Sequence, residues 1–462
     1  IADFGLKNPI PQFIHHSPTW SIKGENTVLT TALSFLFVLG VLIFVHELGH
    51  FAVAKASGIR VERFSLGYPP KMIGWQYGET EYCLSWIPFG GYVKMAGQSD
   101  VGEAESTGQP WEFGSKSPHV QAGVIAAGPA MNFLLAFLIF FVFVLAGGVS
   151  VSPTTEVGTV EAGSVAGIAG VQVGDRIVSV GDREVSDWTG VADALSGLKG
   201  MAFSIQVLRG DRVLDLAVEG WEEAWASFGI APFIPARIGS VMEDGPAARI
   251  GLLAGDLVVS VDEEPVGWMK MTEIIRARPG QPVALEWKRG TQMHEAQIVP
   301  EVKTGFDLEN QKVEYGRIGV GLRMAQKRVG PITALWLAAK QTVLVTAGIV
   351  DIVRGLISGG ISPKLLGGPV MIAQMAGEQA RLGIESLFSL MALLSVNLGL
   401  LNILPIPALD GGHLFFIAAE GLTRRKLSIK QKAVLQRIGM ALILILMVYV
   451  THNDILRLLQ LR

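Results

Sequence analysis

Three long stretches of this chain carry no charged residue, and they restrict its fold more than any other feature. They cover residues 26–45, 120–155 and 386–409. A helix needs about 20 mostly apolar residues to cross the hydrocarbon core of a bilayer, and each stretch provides them. The positive mean hydropathy (+0.41) and the low share of charged residues (17%) agree with this interpretation. The sequence therefore predicts a polytopic α-helical membrane protein.

Two further segments are apolar but less clear. Residues 438–450 form a shorter candidate span, which is long enough if charged residues at its ends reach the interface. The segment 331–358 is interrupted by three charged residues, Lys340, Asp351 and Arg354. We expect it to be an amphipathic helix lying on the membrane surface, with a fifth span as the weaker alternative. The expected number of transmembrane helices is therefore about four.

Positive charge predicts the orientation of these spans. The connection after the third span is basic, with Arg424, Arg425, Lys426, Lys430, Lys432 and Arg437. Connections rich in Lys and Arg stay in the cytoplasm. With four spans, the region between spans two and three then lies outside the cytoplasm. Spans one and three both run inward, so their carboxyl-terminal ends reach the same level near the cytoplasmic side.

The first span ends in the sequence HELGH, which places His46, Glu47 and His50 where ionisable groups are costly. Positions four apart on an α-helix differ by ~40° around the axis and ~6 Å along it, so both imidazoles can reach one ion. H-E-x-x-H is the pattern of zinc hydrolases, in which two histidines bind the metal and the glutamate is the general base. A catalytic zinc usually has three protein ligands, so another residue must supply the third.

The candidate third ligand is Asp410, at the end of the third span. A carboxylate at this depth is costly unless it is paired or bound to a metal. Four residues are expected to break the helix around it: Pro405, Pro407, Gly411 and Gly412. His413, one helical turn further on, is the alternative ligand. We predict one Zn²⁺ per chain, held by the two histidines of HELGH and this carboxylate.

The region 152–305 differs from the rest of the chain because charges and glycines return, and it contains an internal repeat. VEAGSVAGIAGVQVGDRIVSVGDREV (160–185) aligns without gaps on VMEDGPAARIGLLAGDLVVSVDEEPV (241–266). A short helix ending at glycine, then Gly-Asp, then an alternating strand, is the layout of PDZ domains. Such domains bind peptides at an exposed strand edge. The two copies either bind a peptide or only restrict access to the membrane by their bulk.

Composition and the amino-terminal segment exclude some partners and structures. The net charge of −3 predicts no nucleic-acid partner. Cys83 is the sole cysteine, so no disulfide can form within the chain. Residues 1–25, which include His15 and His16, lack the basic-then-apolar pattern of a signal peptide. We expect them to form an irregular segment outside the membrane.

Taken together, these motifs resemble those of the bacterial site-2 protease family, most closely its subgroup with two PDZ domains, the regulator-of-sigma-E proteases. The resemblance covers approximately residues 28–460. It rests on HELGH, FGGYVKM (89–95), AAGPAMNF (126–133), the repeated module and NLGLLNILPIPALDGG (397–412). Each motif alone is moderately specific, whereas the set is highly specific.

The resemblance implies an intramembrane zinc metalloprotease of the bacterial inner membrane, with periplasmic PDZ domains and an active site near the cytoplasmic side. It implies that Asn402 and a membrane-embedded β-loop containing Gly90 and Gly91 bind the substrate backbone, with Asn132 as a further candidate. A helical substrate satisfies its own backbone and must be unwound before cleavage. The implied substrates are single-span membrane proteins already cut outside the membrane, including anti-sigma factors and remnant signal peptides.

Two other classes of function remain as alternatives. A metal transporter also places histidines inside the membrane, but it should carry further ionisable groups along its spans, and residues 120–146 have none. A non-catalytic membrane scaffold would use its PDZ copies alone and would not need the HELGH motif.

These predictions give the expected domain boundaries. The amino-terminal half contains an extramembrane segment (1–25), a first transmembrane helix (26–51), a cytoplasmic-side region (52–118) with the β-loop at 84–95, and a second transmembrane helix (119–150). PDZ-like domains follow at 152–222 and 228–305. The remainder contains a linker with amphipathic helices (306–383), a third transmembrane helix (384–410), a cytoplasmic loop (411–437), a fourth transmembrane helix (438–453) and a tail (454–462).

Overall fold

The structure is a computed structural model of the chain, and it describes residues 25–99, 102–103, 107–152, 154–198, 200–219, 228–306, 312–425 and 427–460. The predictions for residues 1–24, including His15 and His16, lie outside the described residues. The described chain divides into two compact units. Phe143–Ala334 forms one, called here the repeat unit, and the described residues in 25–142 and 335–460 form the other, called here the membrane unit.

The helices account for most of the membrane unit. In chain order they are α1 (Glu25–Ala56), α2 (Pro118–Gly147), α3 (Val165–Ile168), α4 (Trp188–Gly197), α5 (Pro246–Arg249), α6 (Trp268–Ala277), α7 (Pro331–Ser358), α8 (Pro369–Leu382), α9 (Ile384–Ile403), α10 (Asp410–Thr423) and α11 (Ile429–Gln460).

The strands lie mostly in the repeat unit. The first ten are β1 (Val61–Tyr77), β2 (Thr80–Met95), β3 (Gln98–Ser99), β4 (Gly102–Glu103), β5 (Val149–Val151), β6 (Val157–Val160), β7 (Arg176–Val180), β8 (Arg183–Glu184), β9 (Phe203–Arg209) and β10 (Arg212–Val218). The others are β11 (Ile230–Pro232), β12 (Ala236–Val241), β13 (Leu257–Val261), β14 (Glu264–Pro265), β15 (Val283–Arg289), β16 (Gln292–Ile298), β17 (Glu301–Phe306), β18 (Lys312–Arg317), β19 (Val320–Leu322) and β20 (Ala325–Lys327).

Within the described residues, five helices are long and apolar enough to cross a membrane: α1, α2, α7, α9 and α11. The prediction of a membrane protein with several apolar helices is confirmed. The helix α7 is the segment for which the sequence predicted a surface helix, and it is continuous over 28 residues. Its length and composition fit a span as well as a surface helix, so the number of about four transmembrane helices stays a prediction.

The segment 411–437, predicted to be a cytoplasmic loop, is mostly helical because α10 and α11 cover most of it, and its cytoplasmic location stays a prediction. Residues 429–437 are mostly good helix formers. A capping box starts α11: the Ser428 hydroxyl accepts a hydrogen bond from the Gln431 amide (3.3 Å), and the Gln431 side chain accepts one from the Ser428 amide (2.9 Å). The predicted fourth helix (438–453) and most of the predicted tail are therefore parts of one 32-residue helix.

A break in the helical chain leads to Asp410. The helix α9 ends at Ile403, residues 404–409 are non-helical, and α10 begins at Asp410, so the predicted third helix (384–410) is shorter than expected. Gly411 and Gly412 do not break the helix but lie in the first turn of α10. A Cβ on Gly411 would come within 2.2 Å of the Ile403 carbonyl oxygen. Glycine at this position lets the first turn of α10 pack directly on the end of α9.

The strands β1 and β2 form a curled antiparallel sheet beside α1. Residues 61–66 pair with 91–95 on one side and with 81–84 on the other, and 71–77 pair with 80–85. The predicted β-loop at 84–95 is therefore one part of a larger sheet. Its partner was missed because Gly67, Pro69 and Pro70 interrupt the alternating pattern of β1. Among the described strands, none pairs with the outer side of 91–95, which leaves this segment as an edge of the sheet.

The repeat unit contains two α/β domains with the same order of elements. In the first, β10, β9, β7 and β8 form a sheet and β6 pairs with β11. In the second, the sheet order is β16, β15, β13, β12 and β19, with β14 beside β13. Each domain has its own apolar core, which contains Trp188 in the first and Trp287 in the second.

The predicted boundaries of these two domains need correction. The first extends beyond 222, because Phe228 and Ile230 are buried in its core and β11 pairs with its strand β6. The second extends beyond 305, because Ile318 is buried in its core and β19 pairs with β12. The predicted linker (306–383) accordingly begins with strands, which include β18, β19 and β20, before its helices start.

The same ion pair recurs in both domains. Asp175 accepts hydrogen bonds from Nε and Nη2 of Arg209 (2.7 and 2.8 Å), and Asp256 accepts the same pair from Arg289 (2.8 and 2.8 Å). Each arginine also donates to the carbonyl oxygen of the glycine five residues before the aspartate, at 2.7 Å in both domains. This bidentate geometry fixes the turn before β7 and the turn before β13.

Candidate active site

Three metal-binding side chains meet in the membrane unit: His46, His50 and Asp410. The Nε2 atoms of the two histidines are 3.2 Å apart. The Oδ2 atom of Asp410 lies 3.1 Å from Nε2 of His46 and 3.5 Å from Nε2 of His50. Both histidines are almost fully buried, with 9% and 8% of their surface exposed. The structure thus brings together residues that are far apart in the sequence.

This triangle of donor atoms fits a zinc ion. Ligand atoms bound tetrahedrally to zinc at about 2.0–2.1 Å are separated from one another by about 3.3 Å, which matches the observed distances. The Oδ2 atom of Asp410 is buried and makes no well-oriented hydrogen bond within the described residues. A buried carboxylate oxygen without a hydrogen-bond donor is costly, and a cation at the centre of the triangle removes that cost.

The helices α1 and α2 pack closely enough to fix the two histidines. The Nδ1 atom of His50 donates a hydrogen bond to the carbonyl oxygen of Val124 on α2 (2.8 Å), which turns its Nε2 atom toward the triangle. A Cβ on Gly128 would come within 2.3 Å of Nε2 of His50. A Cβ on Gly49 would likewise come within 2.3 Å of the Ala127 carbonyl oxygen. Both glycines are therefore required for this close approach.

The structure also separates the two candidates for the third ligand. Asp410 is the first residue of α10 and faces both histidines of HELGH. His413 lies one turn later, and its Nε2 atom is 3.2 Å from Nε2 of Gln436 on α11. The group of potential metal ligands among the described residues contains Asp410 and not His413.

Glu47 lies where α1 meets the edge of the sheet. Its side chain is 9% exposed, and a Cβ on Gly91 would come within 2.9 Å of Glu47 Cγ. Gly90 lies against the ring of Tyr68, which a Cβ at that position would approach to 2.3 Å. Partial burial and the negative charges of Glu47 and Asp410 raise the pKa of the Tyr68 phenol. Sequence reasoning missed Tyr68, since no motif includes it.

The two asparagines expected to bind substrate have different surroundings. Asn132 is completely buried, and its Nδ2 atom is 3.0 Å from Nδ1 of His46. No surface of the Asn132 side chain is accessible, and its predicted substrate contact stays a prediction. Asn402 lies in the last turn of α9, is partly exposed, and makes no side-chain hydrogen bond to any described residue. Its role as a substrate-binding residue stays a prediction.

A profile described as "Peptidase family M50" matches residues 34–446, which is most of the chain. The chain belongs to peptidase family M50. This M50 member is similar to a protein of Neisseria meningitidis whose name describes a zinc metalloprotease, with 34% identity over 93% of this chain and 99% of the relative.

Other relatives of this M50 peptidase are named for regulation. The regulator of sigma E protease of Salmonella typhi is 34% identical over 94% of this chain and 100% of the relative. The regulator of sigma-E protease RseP of Escherichia coli K12 is 33% identical over 92% of this chain and 98% of the relative. A solved PDZ domain from Listeria innocua is 28% identical over 21% of this chain and 99% of that domain, with a TM-score of 0.16.

Family membership establishes the class of enzyme. The M50 peptidase is an intramembrane zinc metalloprotease, as the HELGH motif and the resemblance predicted. The family assignment does not favour the metal-transporter and scaffold alternatives.

Proposed function

We propose that His46, His50 and Asp410 bind the zinc ion and that Glu47 is the general base of peptide hydrolysis. The observation that supports this most directly is the triangle of donor atoms, with sides of 3.1–3.5 Å. Zinc, when bound, supplies a Lewis acid that polarises the scissile carbonyl group.

The proposed role of Glu47 follows from its position between the two histidines on α1. Its carboxylate accepts a proton from the attacking water and later donates that proton to the amine leaving group. Its surroundings favour this role, because 91% of its surface is shielded from solvent while the sheet edge at Gly91 lies beside it. Water is thereby limited near the carboxylate, and an extended substrate bound along that edge would pass close to it.

The substrate would bind by extending the sheet. Residues 91–95 form an edge whose outer side no described strand occupies. Backbone hydrogen bonds along such an edge can hold an extended peptide regardless of its side chains. Gly90 and Gly91 carry no side chain that would hold the peptide away, and Asn402 is available to bind a freed backbone group. An unwound transmembrane segment needs such partners, because lipid offers none.

Exposed aromatic residues support a location of this sheet in the membrane interface. Trp75, Tyr77 and Trp86 are 63%, 76% and 65% exposed. Aromatic residues of this kind concentrate at the boundary between hydrocarbon and lipid headgroups.

We infer four spans, formed by α1, α2, α9 and α11. The rings of Phe37 on α1 and Phe388 near the start of α9 are 6.3 Å apart, while His46 near the end of α1 contacts Asp410 just beyond the end of α9. The helices α1 and α9 therefore run in the same direction, which requires an odd number of crossings between them. The helix α2 supplies one, and α8 is too short to cross, at ~21 Å against about 30 Å. A full crossing by α7 would make the number even.

We propose that the repeat unit lies outside the cytoplasm, in the periplasm of a bacterium with two membranes, and that the active site lies near the cytoplasmic side of the inner membrane. The basic connection around Arg424 and Arg425 supports this orientation. A membrane-impermeant maleimide applied to spheroplasts tests it in a Cys83→Ala background. Ser196→Cys should be labelled and Thr423→Cys should not, and the reverse pattern would invert the topology.

The two domains of the repeat unit are proposed to be tandem PDZ domains that filter substrates by size or bind a peptide. Their matching element order supports this, and each ends in a short strand, β11 or β19, at the edge of its sheet. The proposed substrates are single-span membrane proteins after a first cut outside the membrane, including anti-sigma factors and remnant signal peptides. The names of the relatives from Salmonella and Escherichia support the regulatory assignment.

The variant Glu47→Gln tests the proposed chemistry. Loss of a general base typically lowers the rate by about 10²–10⁴-fold. Purified Glu47→Gln should therefore show that loss on a single-span substrate in detergent, while elemental analysis still finds one zinc per chain. Glu385→Gln, which changes an exposed carboxylate on α9, is the matched control and should cleave normally. Wild-type cleavage by zinc-loaded Glu47→Gln would refute the assignment.

A further inference from the structure

We propose that Asn132 is a positioning residue for the metal site: its side-chain oxygen accepts a hydrogen bond from Nδ1–H of His46 and so holds the Nε2 lone pair toward zinc. This inference rests on the proposed function of His46 as a ligand. It assigns a role on α2 to a side chain that the sequence placed in the substrate site.

The position of Asn132 is fixed from two sides. Its side-chain amide is 3.0 Å from Nδ1 of His46. Its backbone carbonyl oxygen accepts a hydrogen bond from the Ser395 hydroxyl on α9, at 2.7 Å. Asn132 and Ser395 both have 0% of their surface exposed, so neither bond competes with solvent. The amide thus connects α2 to the HELGH helix at a defined point.

The chemistry of imidazole determines which amide atom faces His46. A neutral imidazole that binds a metal through Nε2 carries its proton on Nδ1, so the group beside Nδ1 must be an acceptor. The structure places Nδ2 there and leaves Oδ1 buried without a partner. The two ends of an amide are assigned from their hydrogen bonds, and a half-turn exchanges them. In either orientation, one atom of the Asn132 amide has no hydrogen-bond partner. The proton on Nδ1 of His46 needs an acceptor, so the orientation with the amide oxygen beside Nδ1 is the favourable one.

The neighbouring histidine is held in the same way. Nδ1 of His50 donates to the backbone carbonyl oxygen of Val124, also on α2. One helix therefore orients both imidazoles, through a backbone group for His50 and through a side chain for His46. Only the contact of Asn132 can be changed by a side-chain substitution, which makes the proposal testable.

Zinc affinity of the purified full-length protein tests this role. Asn132→Leu keeps the number and branching of the side-chain heavy atoms but has no acceptor, and zinc affinity measured by chelator competition should fall about 10–100-fold. Asn132→Asp keeps an acceptor oxygen and should retain the wild-type affinity. The absorption spectrum of the Co²⁺-substituted protein should change in Asn132→Leu and stay unchanged in Asn132→Asp. Ser395→Ala, which removes only the contact to the backbone of residue 132, should bind zinc normally.

Several results would overturn the proposal. Wild-type zinc affinity in Asn132→Leu would do so, and so would a folded Asn132→Asp that has lost zinc. An equal loss in Ser395→Ala would show that packing matters and not the acceptor. If His46 is not a zinc ligand, His46→Ala will keep its zinc. That result distinguishes a failure of the proposed function from a failure of the role proposed for Asn132. Melting temperatures of the metal-free proteins identify any variant that is simply unstable, and Asn132→Asp still decides if Asn132→Leu does not fold.

Discussion

Gly91 at the edge of the sheet lies directly against Glu47 on α1, because a Cβ at residue 91 would fall 2.9 Å from Glu47 Cγ. The same Cβ would fall 2.9 Å from Ile43 Cγ2 and 2.8 Å from the Ser65 carbonyl oxygen. The proposed substrate-binding edge and the proposed general base are therefore in van der Waals contact. Nothing larger than hydrogen fits at residue 91 without a shift of the sheet edge or of the Glu47 side chain.

Gly91→Ala should separate peptide hydrolysis from metal binding. The added methyl group must push the sheet edge away from α1 or displace the Glu47 side chain, so we expect a loss of activity of about 10²-fold or more. Zinc content should stay at one per chain, because no ligand contacts residue 91. Gly40→Ala on α1 has no atom within 4 Å of its Cβ and serves as the control. Full activity in Gly91→Ala would show that the sheet edge does not limit catalysis.

Gly128→Ala should instead act on the metal. Its Cβ would fall 2.3 Å from Nε2 of His50 and 2.8 Å from Cε1 of His46, so the imidazoles must move. We expect a loss of zinc affinity of at least about 10-fold. Gly123→Ala lies on the same helix with nothing within 4 Å of its Cβ, and it should bind zinc like the wild type. Equal zinc affinity in both variants would contradict the close packing of α1 and α2.

Asp454 should stabilise the start of α8. Its buried carboxylate on α11 accepts hydrogen bonds from the amides of Gly368, Val370 and Met371, at 3.0–3.1 Å. Hydrogen bonds to a charged group contribute about 1.5–3 kcal/mol each when buried. Asp454→Ala should therefore speed amide hydrogen exchange in 368–382, measured by mass spectrometry.

The control for Asp454 is Glu385→Ala, which removes an exposed carboxylate and should leave this exchange unchanged. Unaltered protection of α8 in Asp454→Ala would show that its first turn is held by other contacts.

The first domain of the repeat unit should lose stability in acid. Burial by itself would raise the pKa of Asp175, but hydrogen bonds from Arg209 and from the Gln172 amide bring this pKa below its usual value. Because the pKa is lower in the folded domain than in the unfolded chain (about 3.9), the stabilisation is complete above that value and disappears as the pH falls through the folded pKa. Asp175→Asn should be less stable at pH 7.

The measurement is thermal unfolding of the full chain at pH 7 and pH 3.5, detected as protease cleavage within residues 157–232. The wild type should lose more stability between these pH values than Asp175→Asn. Equal losses in the two proteins would mean that other carboxylates cause the acid sensitivity. Asp256, whose pKa is lowered by its hydrogen bonds from Arg289, gives the same test in the second domain.

Local patterns identified part of the site. His46, Glu47 and His50 lie within two helical turns, so their spacing alone predicts that they share a face. The repeat predicted two similar domains for the same reason, because Gly-Asp turns and alternating strands are local signals. Arg209 and Arg289 were missed, since each lies more than 30 residues after the aspartate that it binds and belongs to no motif.

Contacts between distant segments could not be predicted in this way. Asp410 and His413 both follow the third span, so the sequence left both as candidates for the third metal ligand. In the structure, α10 directs Asp410 toward α1, whereas His413 lies beside Gln436. Asn132 was assigned to the substrate, whereas the structure buries it against His46. A motif identifies the residue type but not the direction of the side chain, which depends on how the helices pack.

The sequence by itself determined that this chain enters a membrane, carries a zinc-hydrolase helix and repeats one domain, because hydrophobicity and helical or strand periodicity act over about 20 residues or fewer. Tertiary structure alone decided whether Asp410 or His413 lies beside the two histidines of HELGH, which glycine contacts Glu47 and which partner Asn132 has. Those contacts depend on packing at the scale of a single methyl group between helices and strands far apart in the chain.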